Sequence, residues 1–185
     1  MIDEDKIKQA VRLMLEGIGE DPEREGLIGT PDRIARMCGE IFAGMDEDPA
    51  KQLSRTFEAS GTDMIVEKDI PFYSMCEHHF MPFFGQAYVG YIPKKRVVGL
   101  SKLARTVETY ARRPQIQEQM TGQIADAVYE NLDCEGVIVV LKAEHMCMSM
   151  RGVKKGGTKT VTVAKRGIFE KEHELEERFF RLLEV

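Results

Sequence analysis

Val137-Ile138-Val139-Val140-Leu141-Lys142 is a dense β-branched run that leads through Ala143-Glu144 into His145-Met146-Cys147-Met148-Ser149-Met150-Arg151. The first part reads as a buried strand. The second alternates, and strand side chains alternate between faces with period two. That spacing puts His145, Cys147, Ser149 and Arg151 on one face. Met146, Met148 and Met150 then share the other and pack into the core. One short strand would so present an imidazole, a thiol and a guanidinium together. An amphipathic strand with a polar outer face is the bland alternative, but a His-x-Cys row is an unusual choice for a solvated surface.

Outward from this stretch, Met64 to Ile70 reads as a strand, and Pro71 to Pro82 as a strand end and turn. Phe84 to Ile92 and Arg96 to Gly99 read as two strands joined by a turn at Pro93, and residues 158–164 alternate again. Helical spacing covers residues 4–18 through Ile7, Ala10, Val11 and Met14. A second helix opens at Thr30-Pro31, with Thr30 as N-cap and Ile34, Met37, Cys38, Ile41 and Phe42 as its buried stripe. Ser101 caps a helix to about Ala111, Pro114 opens a longer one to about Asn131, and a last helix runs over about 170–183. The order predicts an α+β fold, an antiparallel sheet covered by helices on one face. A single domain is expected over 1–185, with an N-terminal helical part at 1–45 and a core at 60–185.

The 185 residues carry a net charge of −5, which disfavours a general polyanion binder. Zinc-finger spacing, RNA-binding aromatic signatures and basic arms are absent, so nucleic acid is not an expected partner. No apolar run is long enough to span a bilayer, and Met1-Ile2-Asp3-Glu4-Asp5 lacks a signal-peptide stretch. A cytoplasmic protein without a membrane partner is expected. Four cysteines in such a compartment argue against a disulfide framework; Cys38 and Cys134 read as small buried residues. Basic residues still cluster at Lys94-Lys95-Arg96, Lys102, Arg105, Arg112-Arg113, Arg151 and Lys154-Lys155, which suits a local phosphate site.

Cys76 and His79, in Ser74-Met75-Cys76-Glu77-His78-His79, have the C-x2-H spacing of two metal ligands on one turn. Cys147 can add a third soft ligand. Two thiolates and an imidazole leave one tetrahedral position of Zn²⁺ open, the catalytic pattern, and bound zinc lowers the pKa of its water to roughly 7. His78 and His145 beside them are free for acid–base work. Two other readings stay open: a surface His pair with a core Cys, or a structural metal completed by His145. Fe²⁺ also suits this ligand set, and two readings of Glu77 stay open, orienting a histidine or structural.

Four segments carry a resemblance: Ser74 to Phe80, Gly99-Leu100-Ser101-Lys102-Leu103-Ala104-Arg105, Arg113-Pro114-Gln115-Ile116-Gln117-Glu118, and His145 to Gly152. With Thr30-Pro31-Asp32-Arg33 and the Thr-rich stretch near 158–162, they resemble the zinc-dependent GTP cyclohydrolase I family, from about residue 5 to the end. The resemblance implies the tunnelling fold: an antiparallel four-stranded sheet with two helices on one face, preceded by N-terminal helices. It implies a homodecamer of two pentameric rings with active sites at subunit interfaces. It implies that zinc-activated water attacks C8 of GTP, opens the imidazole ring, releases formate and yields 7,8-dihydroneopterin triphosphate, the first step of folate or pterin biosynthesis. By the same resemblance, Cys76, His79 and Cys147 bind Zn²⁺, and His78 and His145 are catalytic. Glu118 holds the guanine with Gln117 beside it. Ser101, Lys102, Arg105 and Arg151 engage triphosphate and ribose, and Arg33 reaches the triphosphate from a neighbouring subunit.

Overall fold

The computed structural model describes residues 2–59, 61 and 63–185. Helices α1 (Glu4–Gly17) and α2 (Thr30–Ile41) form an N-terminal hairpin. The Asp3 side chain accepts from the Lys6 amide, and Glu4 and Asp5 occupy the first turn, where negative charge offsets the helix dipole. The N-cap of α2 is Gly29 rather than Thr30. A 3₁₀ turn at Ala43–Asp46, α3 (Pro49–Leu53) and β1 (Thr56–Glu58) lead to β2 (Ile65–Cys76). Then come β3 (Met81–Pro93), β4 (Arg96–Val98), α4 (Leu100–Ala111), β5 (Pro114–Gln115), α5 (Gln117–Asn131), β6 (Cys134–His145), α6 (Met146–Ser149), β7 (Thr160–Gly167) and α7 (His173–Leu183). The fold is α+β.

The main sheet has the order β5-β2-β3-β6-β7. Its four long strands are antiparallel, and two-residue β5 pairs parallel with the end of β2. Strand β6 is central and buried on both sides, which its unbroken β-branched run requires. Val137, Val139, Leu141 and Ala143 face a core shared with Leu103 and Val107 of α4 and Met120, Ile124 and Val128 of α5. Ile138 and Val140 face the other way, onto Phe169 and Phe179.

Several local expectations are corrected. Residues 145–151 do not continue as a strand. Strand β6 ends at His145, and Met146–Ser149 form one helical turn, so Cys147 and Arg151 do not lie in a strand row. Met148 and Met150 are exposed rather than packed into the core. Strand β2 runs through Pro71 to Cys76, because over most of its length β2 is an edge where a missing N–H breaks no ladder bond. Strand β4 pairs with β1 in a separate two-stranded sheet instead of forming a hairpin with β3. Pro114 lies in β5, so the helix starts three residues later. The helix after β4 is capped by Gly99, with Ser101 in its first turn. Helices cover both faces, since Phe179 of α7 seals the side opposite α4 and α5.

Gly85 sits in β3 opposite Ala143 of β6. A Cβ there would lie 1.9 Å from the Lys142 carbonyl oxygen. Gly85→Ala is expected to cost stability at the upper end of about 1–3 kcal/mol, read as a lowered urea midpoint. An unchanged midpoint would show that β3 and β6 separate there freely.

Candidate metal centre and active site

Cys76 is the last residue of β2 and pairs with Met81, so the four residues between them close a tight turn. The amides of His79 and Phe80 both donate to the Cys76 carbonyl, the latter at 2.9 Å. Phe80 adopts φ 49°, a left-handed conformation unusual for a bulky residue. Its exposed ring meets Phe42 edge-on at 6.0 Å. The Glu77 amide donates to the Gln115 carbonyl of β5. Held this way, His79 Nδ1 lies 3.8 Å from Cys76 Sγ.

The third group arrives through β6. His145 is in register with Phe83, two residues beyond Met81. The helical turn α6 then swings Cys147 toward the end of β2. One ligand atom from each of Cys76, His79 and Cys147 lies within 4.8 Å of the other two. Among the described residues no fourth His, Cys, Asp or Glu joins them. The Cys147 thiol is pushed up by burial and then by the neighbouring Cys76. Two thiols this close resist ionising together, and a cation between them reverses that preference. The donor set therefore fits a thiophilic divalent metal with one position left open.

His145 is half-buried and stacked flat on Phe83, with ring centroids 4.7 Å apart and planes 3° from parallel. Burial pushes its pKa down, against the pull of the Glu118 charge. Its Nε2 lies 2.7 Å from Gln117 Oε1. Gln117, 1% exposed, sends its amide nitrogen to Leu141 O, Thr160 O and Thr162 Oγ1. Both amide protons are thereby engaged within the fold. Glu118, next in the chain, is exposed in the first turn of α5. His78 is exposed, with Glu77 Oε1 3.9 Å from its Nε2.

The basic candidates lie elsewhere. Ser101, Lys102 and Arg105 occupy the first turns of α4. That end is tied to the far end of β3, where the Val98 amide donates to the Tyr91 hydroxyl at 3.1 Å. The other end of α4 is the one near Cys76, where Ser74 Oγ donates to the Arg113 carbonyl. Ser101 and Ala111 are ten helical steps apart, about 15 Å of axis. Arg33 is exposed on α2, and Arg151 is exposed just after α6. Within one chain, then, Cys76, His79, Cys147, His145 and Gln117 come together, and the α4 cluster does not join them.

Sequence reasoning missed Glu144. Its carboxylate accepts from the Gly157 amide, Lys159 Nζ and Ser149 Oγ at 2.9, 2.9 and 2.8 Å. These bonds hold it down to about 2 from an ordinary 4.5. The carboxylate clasps α6, and with it Cys147, to the basic turn that follows. A lone acid at the end of an apolar strand was the only available signal.

The sequence model of the GTP cyclohydrolase I family matches residues 7–184. The chain is 58% identical to a GTP cyclohydrolase 1 of Clostridium kluyveri over 184 residues, covering 100% of both chains. It is 55% identical to that of Finegoldia magna over 182 residues, 98% of this chain and 99% of the other. For that of Carboxydothermus hydrogenoformans the identity is 61% over 170 residues, 91% and 88% of the two chains.

A depressed carboxylate contributes order that is complete above its unfolded pKa and vanishes as pH falls through its folded one. The 150–158 segment is thus expected to become sensitive to pepsin progressively between about pH 4.5 and about pH 2. In Glu144→Gln the segment should be sensitive throughout, with no such step. A wild-type profile identical to the variant's would remove the clasp.

Proposed function

The chain belongs to the GTP cyclohydrolase I family, and from that premise we propose how its side chains carry out the family's reaction. It is an enzyme of the hydrolase class, acting on GTP at the first step of folate and pterin synthesis. The convergence of Cys76, His79 and Cys147 within 4.8 Å carries the reading. These three residues would hold Zn²⁺, which when bound supplies Lewis acidity for hydrolysis at neutral pH.

Purine C8 is weakly electrophilic, and a proton at N7 makes it open to attack. His78, exposed beside the ligand turn, delivers that proton. His145 assists positioning and proton transfer as the ring opens and formate leaves. The Glu118 carboxylate accepts from guanine N1–H and the exocyclic amine, which adenine cannot match. Ser101, Lys102, Arg105 and Arg151 bind triphosphate and ribose, with Arg33 reaching in from a neighbouring subunit. Guanidinium forks orient phosphate oxygens, and the cations offset about four negative charges.

The position of Ser101, Lys102 and Arg105 at the far end of α4 supports a pocket assembled between copies. One free edge of the sheet is β7 and the other is β2 before its β5 contact, so edge-to-edge pairing into rings would bring one copy's α4 cluster to the next copy's metal ligands. The tunnelling fold, with a decamer of two pentameric rings, is the assembly we infer. No helix among the described residues is long and apolar enough to cross a membrane, in keeping with the cytoplasmic location proposed.

Cys147→Ala is expected to abolish formate release from GTP while leaving the circular dichroism spectrum and oligomer size unchanged. Chelation should have the same effect, reversed by added Zn²⁺. Full turnover in the metal-free variant would overturn the metal's role. Glu118→Gln should lower kcat/KM for GTP roughly 10- to 100-fold; an unchanged value would remove Glu118 from the guanine site.

A further inference from the structure

The hydrogen bonds around Gln117 have a fixed direction. Leu141 O and Thr160 O only accept, and both lie within 3.2 Å of the Gln117 amide nitrogen. Reversing the amide would aim its carbonyl oxygen at two other carbonyl oxygens. The neighbouring hydroxyls close the ring of bonds. Thr121 Oγ1 donates to the Gln117 backbone carbonyl at 2.7 Å. Its contact with Thr162 Oγ1, at 2.6 Å, must therefore be one in which Thr162 donates. Thr162 Oγ1 is then free to accept from Gln117 Nε2 at 3.0 Å. The two amide protons are shared among these three acceptors, and that leaves Gln117 Oε1 facing His145 Nε2.

An amide oxygen can only accept. We propose that Gln117 is a positioning residue that fixes neutral His145 as the Nε2–H tautomer, leaving Nδ1 as the ring's single acceptor, and that it does not contact the guanine. The ring nitrogen bound by a neighbour decides which nitrogen is left for chemistry. The flat stack on Phe83 restrains ring rotation, so the tautomer and the orientation are fixed together. In the family's reaction His145 can then take a proton or a hydroxyl hydrogen bond at Nδ1 alone. This catalytic consequence rests on the function proposed above; the tautomer rests on the hydrogen bonds.

The chain has four histidines, so a solid-state ¹⁵N spectrum of histidine-labelled, zinc-loaded enzyme at pH 8 is tractable, with His145→Asn identifying the His145 signals. The expected spectrum shows a protonated Nε2 and a bare Nδ1. An Nδ1–H tautomer, or an averaged pair, overturns the proposal. Gln117→Met keeps the length and removes the acceptor. It is expected to lose the tautomer preference and to lower kcat on the order of 10- to 100-fold, with KM for GTP changed less than about threefold. A loss confined to KM would make the amide a substrate contact and overturn the proposal. The spectrum reads the imidazole whatever the enzyme turns over, so failure of the assigned reaction would show separately, as absent formate release from the wild type.

Discussion

The antiparallel register of β3 against β6 is the constraint on which the site depends. It sets His145 opposite Phe83 and delivers the next helical turn to the end of β2, where Cys76 waits. A strand slip of one residue would turn every side chain of β6 to the opposite face. Leu141 and Val139 would then leave the α4–α5 core, and Ile138 and Val140 would leave the surface under Phe179. A slip would also carry exposed Lys142 into that core, and this cost helps pin the register. Cys76 and Cys147 meet because β3 and β6 hold this register.

The pocket groups are supported by polar networks of unequal depth. Gln117 and Thr121 are almost fully buried, and their bonds join α5, β6 and β7 around His145. Glu144 works nearer the surface, clasping α6 to the turn at Gly157. Cys76 and His79 rely on a backbone turn with Phe80 in a left-handed conformation. Residues of that kind persist where the surroundings hold them, and β5 on one side and Phe42 on the other do so here.

The sequence made much of this legible. The β-branched run at 137–142 read as a strand and is the centre of β6. The C-x2-H spacing read as a metal turn, and Cys76 and His79 do bring ligand atoms together with Cys147. Less legible was everything decided by partners distant in sequence. A strict alternation at 145–151 suggested a strand, yet β6 ends at His145 opposite Phe83, and Met146–Ser149 coil into a helical turn. Pro114 looked like a helix start, but the end of β2 recruits it as a strand. Nothing in the sequence around Gln117 announces that its amide nitrogen bonds Leu141, Thr160 and Thr162. Glu144 was silent for the same reason.

The separation of the α4 cluster from the thiols has a genetic consequence under the proposed assembly. Each pocket would draw its metal ligands from one subunit and its triphosphate cations from the next. A subunit lacking Cys147 and a subunit lacking Lys102 would both be dead alone. Mixed in one ring, they can place an intact half of each against the other and rebuild a working pocket at some of the seams. Two defective alleles would then complement each other, and the lesion in a single gene would behave as though it lay in two.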